Sequence, residues 1–117
     1  MRLLPAGRLR YSVQFQTRST AQDSFGQQSV AWVDAFPATN AEVKPLSGRE
    51  LEAAQQITAE VSHKVTVRYR PELENPSVAA AMRIVFRGRY FNIQTSLNED
   101  ERNVFITLLT VEGLNHD

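Results

Sequence analysis

The sequence predicts a mainly β protein: a small antiparallel β-barrel or sandwich of roughly six to seven strands, with one short helix or mobile loop insertion. Three observations lead there. Apolar and polar residues alternate over at least two stretches, a glycine sits in a connection short enough for a tight hairpin, and turn residues recur at short intervals.

The first alternating stretch, Leu9 to Gln16, puts Leu9, Tyr11, Val13 and Phe15 on one face and Arg10, Ser12, Gln14 and Gln16 on the other. That is a strand with one buried side. Thr17 to Gln28, around Phe25-Gly26, reads as a loop. Ser29 to Asp34 and Ala38 to Val43 read as two strands parted near Pro37. Val61 to Arg70 repeats the alternation, with Val61, Val65, Val67 and Tyr69 inward and His63 in the same register. Met82 to Phe86 and Tyr90 to Thr95 flank Arg87-Gly88-Arg89, where glycine supplies the positive φ of a tight hairpin. Val104 to Val111 is apolar on both faces, as in a central strand or one covered by a neighbour. Pro71 to Ala81 and Ser96 to Arg102 read as loops.

One segment departs from the β pattern. Ser47-Gly48-Arg49-Glu50 has capping-box form, in which Ser47 and Glu50 each satisfy a backbone amide at a helix start. Leu51, Ala54 and Ile57 follow at helical spacing. A helix of about ten residues is shorter than the ~12–15 at which isolated helices become marginal, so it must dock or stay mobile.

With 117 residues and 42% hydrophobic content, the chain can build one core, and a single domain over 1–117 is expected. No run approaches a membrane-spanning length, and Met1 to Pro5 lacks the apolar stretch of a signal peptide. The lack of cysteine excludes disulfides and thiolate metal sites and fits a reducing cytoplasm. Thirteen basic and thirteen acidic residues cancel, which argues against a dedicated nucleic-acid binder. The basic residues are nearly all arginine, Lys44 and Lys64 being the exceptions. That bias suits polar subunit contacts, and arginine-rich codon usage explains it equally well.

Enzymatic patterns are missing: no HExxH, CxxC, nucleophile elbow or phosphate loop occurs. His63 on an apolar strand face reads as a hydrogen-bonded core or interface residue, and His116 lies next to the C-terminus. Glu99-Asp100-Glu101 alternate in direction on an extended chain and read as a solvated loop rather than a cation site, as do Glu72 and Glu74. No catalytic residue, cofactor or metal is expected. Arg68, Arg70, Arg83, Arg87 and Arg89, interleaved with Tyr69, Phe86, Tyr90 and Phe91, leave open a small nucleic-acid-binding barrel. The competing reading has the aromatics filling the barrel and the arginines on its wet face.

The order of short motifs resembles a known family. Ala6-Gly7-Arg8-Leu9-Arg10 opens into a strand, and Asp23 to Gly26 precedes a strand bearing Trp32. Pro45-Leu46-Ser47-Gly48-Arg49-Glu50 is followed by Ala53-Ala54-Gln55, and then by His63 to Arg70. Met82-Arg83-Ile84, Gly88-Arg89, Phe91-Asn92-Ile93 and Glu101-Arg102 complete the series. Together these are similar to the head–tail adaptor, or head-closure (stopper), proteins of long-tailed bacteriophages. The likeness runs over roughly residues 6 to 112. One departure is Asn40, where family members often carry tryptophan.

The resemblance implies a virion protein at the head–tail interface, made in the host cytoplasm. It implies a β-barrel subunit, monomeric when free, that forms a ring (expected to be hexameric) with copies of itself. Its partners would be the portal-bound adaptor, tail-terminator or other tail proteins, and packaged double-stranded DNA held without sequence-specific binding. No membrane is involved. The loop after the third strand, here Pro45 to about Ala59, would face the channel, with Pro45, Leu46, Ser47, Gly48, Arg49, Glu50, Glu52 and Gln55 as channel-loop or inter-subunit residues. Arg49, Glu50 and Glu52 are expected to pair between neighbours, and Arg68, Arg70, Arg87 and Arg89 are further interface candidates. A tail-completion or minor tail ring protein is the alternative within the same architecture.

Overall fold

The structure is a computed structural model that describes residues 9–22, 28–57, 60–98 and 103–113. Seven strands run in the order β1 (Tyr11–Gln22), β2 (Gln28–Asp34), β3 (Thr39–Pro45), β4 (His63–Arg68), β5 (Met82–Phe86), β6 (Arg89–Asn98) and β7 (Phe105–Gly113). Three short helices interrupt them: α1 (Gly48–Gln55) before β4, and α2 (Pro71–Glu74) and α3 (Pro76–Ala79) before β5.

The sheet order β2-β1-β3-β4-β7-β6-β5, with β5 returning to β1, closes six antiparallel strands into a barrel. β1 makes this closure possible because it is long. Tyr11 to Val13 pair with β3, Gln14 to Thr17 with β5, and Gln16 to Gln22 with β2. The far half of β1 therefore leaves the barrel with β2 as a hairpin arm, and the molecule measures 55 × 27 × 26 Å.

In β1 and β4 the inward faces are the ones the alternation predicts, through Val13, Phe15, Val65 and Val67. Val13, Phe15, Ala41, Val65, Val67, Ile84, Phe91, Ile93, Ile106 and Leu108 all lie in one core. Each fully buried Leu, Ile, Val or Phe of this kind contributes about 1.5–3 kcal/mol. The predicted hairpin is a two-residue turn in which Arg87 (φ 52) and Gly88 (φ 75) both take positive φ, the type I′ pattern. β7 is buried on both faces, Ile106 and Leu108 toward the core and Leu109 beneath α1.

Four expectations need correction. Thr17 to Gln22 and Gln28 are strand rather than loop; the arm is polar in sequence because no barrel core lies beneath it. Residues 23–27, including Phe25-Gly26, lie outside the described residues. β6 continues through Asn98, because a bulge between Ile93 and Thr95 shifts the register and turns Ser96 inward and Leu97 outward. The apolar alternation is lost there although the strand persists. Pro71 to Ala79 form α2 and α3 rather than a loop, each opened by proline at its first position. Asn75 caps α3 by accepting from the Ser77 amide at 2.9 Å. Finally, Val61 precedes β4 and joins a separate apolar cluster rather than the barrel interior.

Candidate assembly surfaces

α1 lies on the outer face of the barrel wall. Leu46, Ala54, Val61 and Leu109, with Leu51 partly covered, form a small cluster apart from the main core. The segment is pinned at its stems, where Leu46 N donates to Ser62 O at 3.0 Å and Ser62 N to Thr110 O at 2.9 Å. The capping box does not form: Ser47 is extended and its side chain makes no cap hydrogen bond. Gly48 takes φ +57, which favours glycine at this position. Glu50 turns instead to the barrel, where it accepts from Lys64 Nζ at 2.7 Å and lies 3.9 Å from Lys44 Nζ. The Lys64 hydrogen bond holds the Glu50 carboxyl below its ordinary range, against modest burial, and the charges of Lys64 and Lys44 add to that.

Arg49, Glu52 and Gln55 are exposed, and Arg49 and Glu52 make no ion pair among the described residues. Ile57 is 60% exposed just past the helix. Of the three residues expected to pair between neighbours, Glu50 has lysine partners within its own subunit. Thr58 and Ala59, the end of the expected channel loop, lie outside the described residues.

Beside the base of this segment, Arg89 grips Glu112 through two hydrogen bonds of 2.8 and 2.9 Å, a bidentate pair. His63 sits against it, its Nδ1 2.9 Å from Ser62 Oγ and its ring edge-on to Phe91 at 4.9 Å. Burial pushes the imidazole below its ordinary pKa; Glu112 opposes that shift and Arg89 reinforces it. Glu112 is 4.0 Å from His63 Nε2, too far for a hydrogen bond, and is already held by Arg89. Ser62 Oγ also accepts from the Glu112 amide at 3.0 Å, so the corner is a local network built around the Arg89–Glu112 ion pair. No group of three or more His, Asp or Glu able to hold a metal occurs among the described residues. Glu99-Asp100-Glu101, Ala6 to Arg8, Arg102 and His116 lie outside them.

The arginines do not form one surface. Arg87 and Arg89 stand at the barrel end near α1, Arg87 stacking on Tyr11 (4.8 Å) and Phe86 (4.9 Å). Arg68 and Arg70 stand at the opposite end, where Arg68 pairs in register with Phe105. Arg70 lies over Phe36 at 3.9 Å and bonds Glu72 at 3.3 Å. Arg83 is only 6% exposed. The continuous basic stripe that would have supported a nucleic-acid barrel is therefore missing from these five residues, which strand direction sends to opposite ends.

The phage head completion proteins match residues 4–113 of this sequence. The chain belongs to that family. Head completion protein gp7 of Enterobacteria phage HK97 is 34% identical over 87 residues, covering 74% of this chain and 77% of the relative. The solution structure of protein SF1141 from Shigella flexneri 2a shares the fold, with a TM-score of 0.72, 26% identity and coverage of 96% and 99% of the two chains. A chain from the virion of a native gene transfer agent particle has the same fold at a TM-score of 0.55, 15% identity and coverage of 89% and 94%. As a phage head completion protein, the chain has a structural role in the virion, in contact with other head or tail proteins. The family is a structural one, not one of enzymes.

Proposed function

We propose that the protein is a head-closure ring subunit: copies assemble beneath the portal and its adaptor after packaging, retain the DNA and present the surface on which the tail docks. Family membership supports the site of action, and one observation carries the mechanism. α1 is a short helix held on the outer wall by a small apolar cluster and the surface ion pairs of Glu50 with Lys64 and Lys44, so it can be redeployed at low cost while the closed barrel stays intact.

Stopping DNA needs a constriction rather than a reaction, and a ring multiplies one short segment by its symmetry. In this reading Pro45 to about Ala59 narrows the channel. Arg49 and Glu52, which make no ion pair among the described residues, bridge neighbours. The mixed charge of the segment neither traps passing phosphates nor repels them. The free subunit is a monomer and the ring a hexamer formed on the particle, since a ring formed early would withhold subunits from assembly. The portal-bound adaptor and the tail-terminator are the flanking partners.

The test is to fractionate a lysate in which this gene is disrupted. Leaking or DNA-filled heads beside complete, unattached tails, rescued by the purified protein, are expected. Joined, normal particles would overturn the role. Defective free tails would favour the tail-completion alternative. Sedimentation of the purified chain should give a monomer.

A further inference from the structure

The barrel carries a second constellation on its outer wall, away from α1. Arg18 of β1 and Trp32 of β2 face each other across the hairpin arm, the guanidinium 5.0 Å from the ring centre. Arg83 of β5 also lies over Trp32, at 4.3 Å, and over Tyr90 of β6, at 4.3 Å, while donating to Gln16 Oε1 at 2.9 Å. Two arginines and two aromatics thus form one continuous stack, unusual for a wet barrel face and typical of protein interfaces. A cleft of about 600 Å³ opens beside it, lined by Thr17, Arg18, Trp32, Asn92 and Gln94 among others.

Two unmet requirements converge there. The indole Nε1 of Trp32 is a buried donor with no acceptor among the described residues, a condition that costs about 1–3 kcal/mol where it persists. Arg18 is exposed and stacked, with no carboxylate partner among the described residues, and the nearby Asp34 accepts from Gln16. Nε1 is buried, so the polar group presented to a ligand in the cleft is the Arg18 guanidinium, whose complement is an anionic acceptor.

The backbone adds a direction. β5 covers β1 only from Gln14 to Thr17, whereas β1 continues to Gln22 with β2 on its other side. Phe15 O accepts from Ala35 N, on the β2 side. The alternation of an antiparallel ladder then turns the backbone groups of Arg18 and Thr20 toward the side β5 has vacated. Among the described residues no strand pairs with that edge, which borders the cleft at Thr17 and Arg18.

We propose that this edge docks an extended, acidic segment of a neighbouring connector protein, which adds as a strand beside Arg18–Gln22 and sets a carboxylate against the Arg18 guanidinium. The proposal deepens the head-closure reading and rests on it for the partner's place in the particle. The site itself stands on strand pairing, stacking and charge.

Trp32 is the sole tryptophan, so its emission reports on the cleft without a label. The probe is a capped hexapeptide alternating valine and glutamate, with the valine–lysine counterpart as control. The glutamate peptide is expected to give a saturable change in Trp32 emission that weakens with salt, while the lysine peptide gives none. Arg18→Ala should lower the affinity about tenfold, the usual scale for a lost charge-assisted hydrogen bond. Because Arg18 is exposed, the variant's thermal midpoint should match the parent and rule out misfolding. Amide exchange on the parent should show new protection at Arg18 or Thr20 when the glutamate peptide is bound. No saturable response, an equal response to both peptides, unchanged affinity in Arg18→Ala, or binding without amide protection would each overturn the proposal. Particle fractionation is independent: peptide binding with normal particles in the gene-disrupted lysate would sink the head-closure reading and leave the docking site standing.

Discussion

α1 and the α2–α3 pair are both too short to be stable alone, yet the barrel holds them in different ways. α2 and α3 send Leu73 and Ala79, both 0% exposed, into the main core and cap one mouth of the barrel. Tyr69 donates to Glu74 across the entry to α2, and Tyr69 N bonds Val104 O at 2.9 Å. α1 buries only Ala54 and half-covers Leu51, against a cluster that never meets the main core. The lesson is that length does not decide whether a marginal helix is fixed. The core that receives its anchor does.

The sharpest way to break this contrast is Leu73→Ala. Removing a fully buried leucine from the shared core should lower global stability by about 2–5 kcal/mol, read as a shifted denaturation midpoint with unchanged slope. A local effect confined to α2 would place that helix in the same class as α1. The counterpart, Leu51→Ala, should cost about 1 kcal/mol or less, because the side chain is only half-buried. Its signature is faster amide exchange over Gly48–Gln55 with little change at β6 and β7. Equal loss of protection everywhere would show that α1 belongs to the global cooperative unit.

The smallest effect concerns pH. His63, at the α1 end, has its pKa depressed by burial, so its contribution to stability is fully present above the unfolded value of about 6.5 and is lost as pH falls through the folded value. Glu112 and Arg89 are the charges beside it. His63→Gln should flatten the stability curve just below that pH and leave the neutral plateau's slope unchanged. A parent protein with no such slope would mean the imidazole is as wet as in the unfolded chain.

Much of the barrel was legible in the sequence, because Val13, Phe15, Val65, Val67, Phe91 and Ile93 alternate on strands with one buried face. Legibility failed where a local rule was overridden. The bulge near Gln94 inverted the faces of β6, and the arm of β1 has no barrel core beneath it to impose alternation. α2 and α3 were hidden because each is one turn long, although Pro71, Asn75 and Pro76 carried the start signals. Around the candidate segment, Leu51 and Ala54 at helical spacing made α1 legible as a helix. The partner of Glu50 was not foreseen, because Lys64 is set beside it only by the pairing of β3 with β4. The Arg18–Trp32–Arg83–Tyr90 stack joins four strands, and no single stretch of sequence announces it.

Lys44 and Lys64 stand directly opposite each other in the β3–β4 register, and Glu50 comes to them from the helix above. Lifting that helix takes the carboxylate away and leaves two ammonium groups facing each other across a strand pair, an arrangement that repels itself. The helix thus lends a carboxylate to two like charges that the strand register forces together, while the Lys44 side chain stays half exposed beside it. That hold on the helix is electrostatic and partly exposed, so added salt loosens it while the apolar anchor of Ala54 is untouched.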